Sequence, residues 1–356
     1  MMWSTMEKSL CLMVLWLAVM LPSALSQCPP SANIEPCSCS VNGFVGLQLT
    51  CFGIVTEEEL RSIFHNTSFP VTSFDEINII NCATESLGAD LFGQLDADRL
   101  YIENNPNLKS VDLELLASPM SDRVRVIGIS KNPQMEVADL RLFENVKRTD
   151  LMVTMIENNF KTITPPSKPI NIYSLNLGRN AIASVTADML KNLQGVEYLY
   201  LYENGLTTIN SGALTTLDSL KDLQLHMNSL GPVLSPGAVA LPASLTSLTL
   251  DSNGISEVMP EAITGFSSSA YLSLRSNSLQ SFPEEAFRPL LERLAEGGGR
   301  LDLSGNFGLP CDCSIVWLFL TPGVLDAVDQ YYCENYVPIT AIDSEALIQS
   351  CSLEGH

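Results

Sequence analysis

Four kinds of side chain in this 356-residue sequence could do chemistry: thiols, imidazoles, carboxylates and phenols. The thiols have the most regular spacing. Cys28, Cys37, Cys39 and Cys51 form one tetrad, Cys311, Cys313, Cys333 and Cys351 form another, and Cys82 stands alone between them. Paired Cys-x-Cys steps suit zinc or disulfides, but no histidine lies among the cysteines of either tetrad. In an oxidising compartment each tetrad reads as two bridges, with three connectivities open to each.

The imidazoles do not assemble a catalyst. His65, His226 and His356 are far apart in the chain, whereas an acid-base or nucleophilic site needs its members within hydrogen-bond reach. Only His226 has carboxylates at matching pattern positions, Asp222 and Asp251, and no G-x-S-x-G serine accompanies them. No strand-following G-x-G-x-x-G, no G-x-x-x-x-G-K-[ST], no H-E-x-x-H and no D-x-[DN]-x-[DN]-G loop occurs. The expectation is a non-enzyme with no catalytic residues, no metal site and no cofactor.

Asp and Glu number 40 against 19 Lys and Arg, a net charge of −21. Phosphate polymers and anionic lipid are recognised through clustered cations, so nucleic acid and acidic membrane are excluded as partners. With 46% hydrophobic and 17% charged residues the chain can bury a large core.

Residues 1–26 read as a secretory signal peptide: Lys8, an apolar run from Cys11 to Leu21, then Pro22 and the small residues Ser23, Ala24 and Ser26 before a cut at Gln27. That run is shorter than the ~20 residues of a membrane span. The next apolar stretch, Ile315–Leu320, is stopped by Thr321 and Pro322, and the C-terminal residues carry no lipid-anchor tail. A secreted, extracellular, soluble product is expected, with no membrane span or lipid anchor. Asn66-Thr67-Ser68 is the one N-x-[ST] sequon, which makes it a glycoprotein with its glycan on a loop before the first repeat strand.

The element that positions everything else is a repeat. The pattern L-x-L-x-x-N, with Ile, Val or Met substituting for Leu, ends at Cys82 and then at Asn105, Asn132, Asn158, Asn180, Asn204, Asn228, Asn253, Asn277 and Asn306, at intervals of 22 to 29 residues. Each alternating pair of apolar residues makes a short strand that cannot bury its inner side alone, so successive units must stack. The Asn carboxamide answers the buried backbone donors and acceptors where the chain leaves the strand. Cys82, in the same slot, is read as a buried structural thiol. The longest unit holds Pro289–Arg300, read as a short helix ended by Gly297–Gly299.

This pattern resembles the leucine-rich repeat. The resemblance implies an α/β fold, a curved leucine-rich repeat solenoid with a parallel β-sheet on its concave face, a short helical or irregular convex side, and disulfide caps. The expected organisation is a signal peptide at 1–26, an N-terminal cysteine cap and first strand at 27–73, about ten repeats at 74–309, and a C-terminal cysteine cap at 310–356. The C-x8-C-x-C-x11-C run from Cys28 to Cys51 is similar to the N-terminal cap of extracellular leucine-rich repeat proteins, and NFGLPCDCSIVW from Asn306 to the C-terminal cap. That likeness implies the pairs Cys28–Cys39, Cys37–Cys51, Cys311–Cys333 and Cys313–Cys351. The segments CPPSANIEPCSC, FDEINIINCATESLG and LPCDCSIVWL further resemble an arthropod family of secreted leucine-rich repeat proteins that includes the non-catalytic subunit of shrimp luciferin monooxygenase. In such a complex the light-producing chemistry belongs to a smaller subunit.

A partner would meet the residues that alternate with the strand leucines. Across neighbouring units these are Ser174, Tyr198, Asp222 and Ser247, then Asn176, Tyr200, Gln224 and Thr249, then Gly178, Tyr202, His226 and Asp251. Tyr198, Tyr200 and Tyr202 leave one strand together with Tyr173 nearby, and tyrosine is a favoured interface anchor. Glu197, Glu203, Asp222 and Asp251 make the patch acidic and point to a basic or neutral protein. The candidate partner-binding residues are therefore Tyr173, Tyr198, Tyr200, Tyr202, Asp222, His226 and Asp251. The function read from the sequence is a non-enzymatic protein-binding scaffold, with a small catalytic subunit as the partner that the closer resemblance implies. The alternative is extracellular adhesion, signalling or innate-immune recognition, with a receptor ectodomain as partner. Peptide-N-glycosidase is expected to increase the gel mobility of the secreted chain, and Asn66→Gln to reproduce that mobility; no change on digestion removes the glycan assignment.

Overall fold

The computed structural model describes residues 27–53, 56–333 and 336–354; the signal-peptide expectation falls outside them. The described residues form two compact units, one running up to Gln134 with Asn145–Arg148, the other comprising Met135–Glu144 and the chain from Thr149 on.

In the first unit an antiparallel hairpin, β1 (Cys37–Asn42) and β2 (Gly46–Phe52), is followed by three parallel strands, β3 (Ser73–Ile80), β4 (Asp96–Glu103) and β5 (Val126–Ser130). Leu49, Ile77, Leu100 and Ile127 line up across it with no exposed surface. Cys28–Cys39 and Cys37–Cys51 are bonded, tying the hairpin that covers the first repeat's core.

Helix α1 (Glu57–Asn66) follows the hairpin. Its Thr56 side chain accepts from the Glu59 amide, and the Glu59 carboxylate accepts from the Thr56 amide. This capping box satisfies two orphan donors at the helix start. Leu60, Ile63 and Phe64 bury the inner face, with Phe64 stacked on Phe92 at 5.6 Å. The sequon residue Asn66 is exposed and ends this helix, where a loop was expected.

The second unit carries β6 (Met152–Thr154), β7 (Ser174–Asn176), β8 (Tyr198–Tyr200), β9 (Asp222–Gln224), β10 (Ser247–Thr249), β11 (Tyr271–Ser273), β12 (Arg300–Asp302) and β13 (Val328–Asp329). Each pairs in parallel with the next, in the register Val153, Leu175, Leu199, Leu223, Leu248, Leu272, Leu301. All of these are 1% exposed or less, and each such burial contributes about 1.5–3 kcal/mol. The back of the unit is made of turns and two-residue parallel bridges, such as Ser184–Val185 on Thr208–Ile209. This is the leucine-rich repeat architecture, with few helices and a strand face built from alternating residues.

Within each compact unit the asparagines form a network. Asn228 Oδ1 accepts from the Asn204 and Leu206 amides of the preceding unit at 2.9 and 3.0 Å, while its Nδ2 donates to the Leu201 and Leu225 carbonyls at 3.0 and 2.8 Å. Asn277 repeats the arrangement in full, and Asn253 and Asn306 repeat it with the Leu230 and Leu279 amides as donors. Cys82 heads the column of the first unit: it is buried, and its amide donates to Asn105 Oδ1 at 2.8 Å.

Just before each column asparagine the backbone turns left-handed, at Arg179, Glu203, Met227, Ser252 and Ser276 with φ between 50° and 57°. L-residues pay about 1–2 kcal/mol for that conformation. The turn aims the next amide at the following unit's carboxamide, so the network offsets the strain.

The long unit holds α2, which starts at Glu284 and runs to Gly297, five residues earlier than the Pro289 start expected from sequence. Glu284 and Glu285 occupy its first turn, where the helix dipole favours acids. Phe287, Leu290, Leu291 and Leu294 bury one face, and Phe287 stacks on Phe282 at 3.9 Å. That packing tolerates Pro289 inside the helix, although proline removes one backbone bond. Gly298 ends the helix at φ 73°. The Cys311–Cys333 and Cys313–Cys351 bridges hold the last segment, where Phe282 packs on Trp317 and on Tyr331, whose hydroxyl donates to the Pro310 carbonyl at 2.6 Å.

Asn228→Ala is expected to lower unfolding stability by about 3–5 kcal/mol, because it strands several buried backbone groups at once. Urea unfolding followed by circular dichroism measures it, and a loss below ~1 kcal/mol would show that these groups find other partners.

Candidate functional site

The strand face of the second unit gathers the candidate residues into two groups. In the first, Tyr173, Tyr198 and Tyr200 pack edge to face, with ring centroids 5.3 Å and 6.4 Å apart. Asp222 lies beside them, because β8 and β9 pair Tyr198 with Asp222 and Tyr200 with Gln224. In the second group Tyr202 stacks flat on His226, at 4.8 Å and 5°, with Asp251 one unit further on. All four tyrosines are half-buried, held by the strands beneath them and by one another.

The flat placement of Tyr202 requires Gly178. A side chain at that position would strike the Tyr202 ring, and Gly128 makes the same room for Tyr101 in the first unit. Sequence reading placed Gly178 in the right row without assigning it this part. The signal was a glycine one repeat before an outward tyrosine.

Burial governs the titrating groups. It pushes the Tyr200 phenol up to about 12, helped by the Asp222 charge, so the ring stays neutral and donates. Burial likewise pulls His226 below its ordinary value, against the opposing pull of Asp251 and Glu203. His226 is therefore a neutral aromatic ring at pH 7. Tyr271, outside the predicted set, donates to Asp302 Oδ2 at 2.7 Å and is itself pushed up to about 12, chiefly by burial.

The charges are less one-sided than the carboxylate count suggested. Glu197 is met by Lys221 at 2.8 Å, and Glu203 and Glu157 share Arg179 at 3.2 and 3.3 Å. Asp251 Oδ1 accepts from the Ser273 hydroxyl at 2.5 Å and the Arg275 amide at 3.0 Å. The acidic character of the face thus comes from Asp222 and Asp251, with Glu197 and Glu203 neutralised by cations one repeat away. These inter-repeat pairs were missed in the sequence, because each partner sits about 24 residues away.

Beside the second group lies a shallow hollow of about 400 Å³ lined by Gln224, His226, Thr249, Asp251 and Arg275 among others. It offers donors, acceptors and a ring edge. Among the described residues no cluster of His, Cys, Asp or Glu is arranged to hold a metal ion, and no helix is long and apolar enough to cross a membrane.

Comparison with known proteins agrees with this architecture. A leucine rich repeat family model matches residues 170–230 and 243–295, which contain most of the candidate face. The chain is 26% identical over 308 residues to the Oplophorus-luciferin 2-monooxygenase non-catalytic subunit of Oplophorus gracilirostris, covering 85% of this chain and 82% of that protein. It is 28% identical to Podocan-like protein 1 of Mus musculus over 69% of this chain and 44% of that protein. Keratocan of Gallus gallus is 30% identical over 46% of this chain and 44% of its own length.

Because the folded pKa of His226 lies below its unfolded value, the unfolded state takes up the proton first as pH falls. The resulting stability is complete above about pH 6.5 and is lost as pH drops towards the folded value. His226→Gln should therefore lose less melting temperature than the wild type between about pH 7.5 and about pH 5.5. A ring titration by NMR with its midpoint at or above the ordinary 6.5 contradicts this.

Proposed function

We propose that this chain, a leucine-rich repeat protein with a disulfide-bonded cysteine cap at each end of its repeats, is a secreted, non-enzymatic scaffold that holds another protein on the strand face of its second unit. The observation that carries the reading is the cluster of Tyr173, Tyr198, Tyr200 and Tyr202. These are large, half-buried aromatic side chains fixed by strand register, edge-to-face packing and the Tyr202–His226 stack. Rigid tyrosines lose little entropy on contact and bury much surface, as interface anchors do. Polar groups around them, Asn176, Gln224, Thr249 and Ser247, supply directional hydrogen bonds at the rim.

The partner we favour is a smaller catalytic subunit of a secreted oxygenase. Support comes from the extent of the similarity to a protein named as a non-catalytic subunit, which runs through 82% of that protein and 85% of this chain. The four disulfides fit an oxidising destination. The role of this chain would be to bind and stabilise the partner, with no reacting group of its own.

The test is capture from native secretions with tagged wild-type chain and with Tyr198→Ser, Tyr200→Ser and Tyr202→Ser combined, both secreted and matched for circular dichroism. A stoichiometric small oxygenase retained by the wild type and lost by the variant supports the proposal. Equal retention by both sinks the strand-face site, and capture of a receptor ectodomain or a microbial glycan in its place sinks the subunit role.

A further inference from the structure

Asp222 differs from every other strand-face carboxylate of the second unit. Its Oδ2 accepts from Gln224 Nε2 at 3.2 Å, its Oδ1 is closed off from solvent with no donor in full hydrogen-bond geometry, and the neutral Tyr200 hydroxyl, not a cation, is the other group that acts on its charge. A desolvated carboxylate oxygen without a partner is costly, and natural structures rarely leave one. Among the described residues one other carboxylate oxygen, Asp96 Oδ1, shares this state, and there Arg123 lies 3.5 Å away to neutralise it. Asp222 has no such cation. The basic residues of its surroundings are engaged elsewhere: Lys221 with Glu197, Arg179 with Glu157 and Glu203, and Arg275 with Asp302.

What surrounds Asp222 is aromatic. Tyr198 is its register partner on β8, Tyr200 is the next outward residue of that strand, and Tyr173 packs on Tyr198. The Tyr200 hydroxyl acts on the carboxylate, and the Tyr173, Tyr198 and Tyr200 rings pack edge to face beside it. Asp222 as a whole remains part-exposed, so its outer edge is reachable. Since the charge is shared between both oxygens, a cation arriving at that edge compensates the enclosed oxygen as well. An uncompensated anion framed by phenol rings is a seat for a positively charged side chain, which gains an ion pair and ring contact together.

Resting on the strand-face reading above, we infer that Asp222 with Tyr173, Tyr198 and Tyr200 receives a lysine or arginine side chain of the bound protein. The cation completes a charge arrangement that the isolated chain leaves open. Specificity then comes from position: elsewhere on this face the carboxylates already hold internal partners, so a basic segment is registered at this point of the sheet.

The probe is acetyl-tetra-arginine amide, with its citrulline counterpart as the neutral control, titrated into the full-length secreted chain at about 20 and about 150 mM salt. Asp222→Asn keeps shape and the Gln224 contact. It should weaken arginine-peptide binding about tenfold or more, whereas Asp188→Asn, an equal change of net charge at an exposed ion pair, should not. The melting temperature of free Asp222→Asn should equal or exceed that of the wild type, because an uncompensated charge is removed. A lower melting temperature, peptide affinity unchanged by Asp222→Asn, or an equal loss in Asp188→Asn overturns the inference. In the capture assay, partner retained by Asp222→Asn but lost by the tyrosine variant overturns the cation seat alone and leaves the strand-face reading standing.

Discussion

Backbone hydrogen bonding at the strand-to-turn step constrains everything else in this molecule. A repeat about 24 residues long buries the start of each turn against its neighbour, where water cannot reach. Every amide there needs a protein acceptor and every carbonyl a protein donor. The column asparagines meet both requirements with one carboxamide, as the bonds of Asn228 illustrate. The left-handed residue in front of each asparagine is part of the same solution: it accepts conformational strain so that the geometry of the next unit is met. Stack spacing, strand register and the alignment of outward side chains all follow from that one recurring bond set.

Because register is fixed in this way, the outward residues fall into rows that can be read as a surface. The leucine and asparagine columns and both cysteine tetrads were legible because their signals repeat or cluster within a few residues. Tyr198, Tyr200 and Tyr202 were placed on one face for the same reason. What stayed hidden depended on chemistry between units. The Arg179 link to Glu203 and Glu157, and the space Gly178 leaves for Tyr202, join residues more than twenty positions apart. Helix α1 is a different case. Its capping box, Thr56 to Glu59 ahead of Leu60, Ile63 and Phe64, was present in the sequence as a short-range signal and was passed over for the stronger repeat. At α2, Pro289 suggested a start that apolar spacing beginning before it overrode.

Net charge and local charge have to be kept apart in such a protein. A value of −21 describes long-range steering. It does not describe the contact surface, where acids and bases one repeat apart pair along rows. Exposed pairs of this kind add little stability, typically 0–1 kcal/mol each. Their effect on the proposed site is electrostatic. By neutralising Glu197 and Glu203 they remove a diffuse negative field from the tyrosine face and leave its electrostatics to the few carboxylates without internal cations.

On the proposed binding surface those carboxylates and the tyrosines complement each other. Aromatic rings fixed by register supply area, but on a uniform sheet a partner could slide by one repeat, since successive strands present similar shapes. A charge that is unmatched at a single position breaks that equivalence, because only one register brings a partner cation to it. The repeat architecture therefore provides rigidity and extent while individual departures from the repeat provide address. Tyr200 and Asp222 are such departures: the same positions in neighbouring strands hold Asn176 and Gln224, and Tyr198 and Ser247. On the proposed reading, a scaffold acts in this way on a catalytic partner, by fixing where and how it is held.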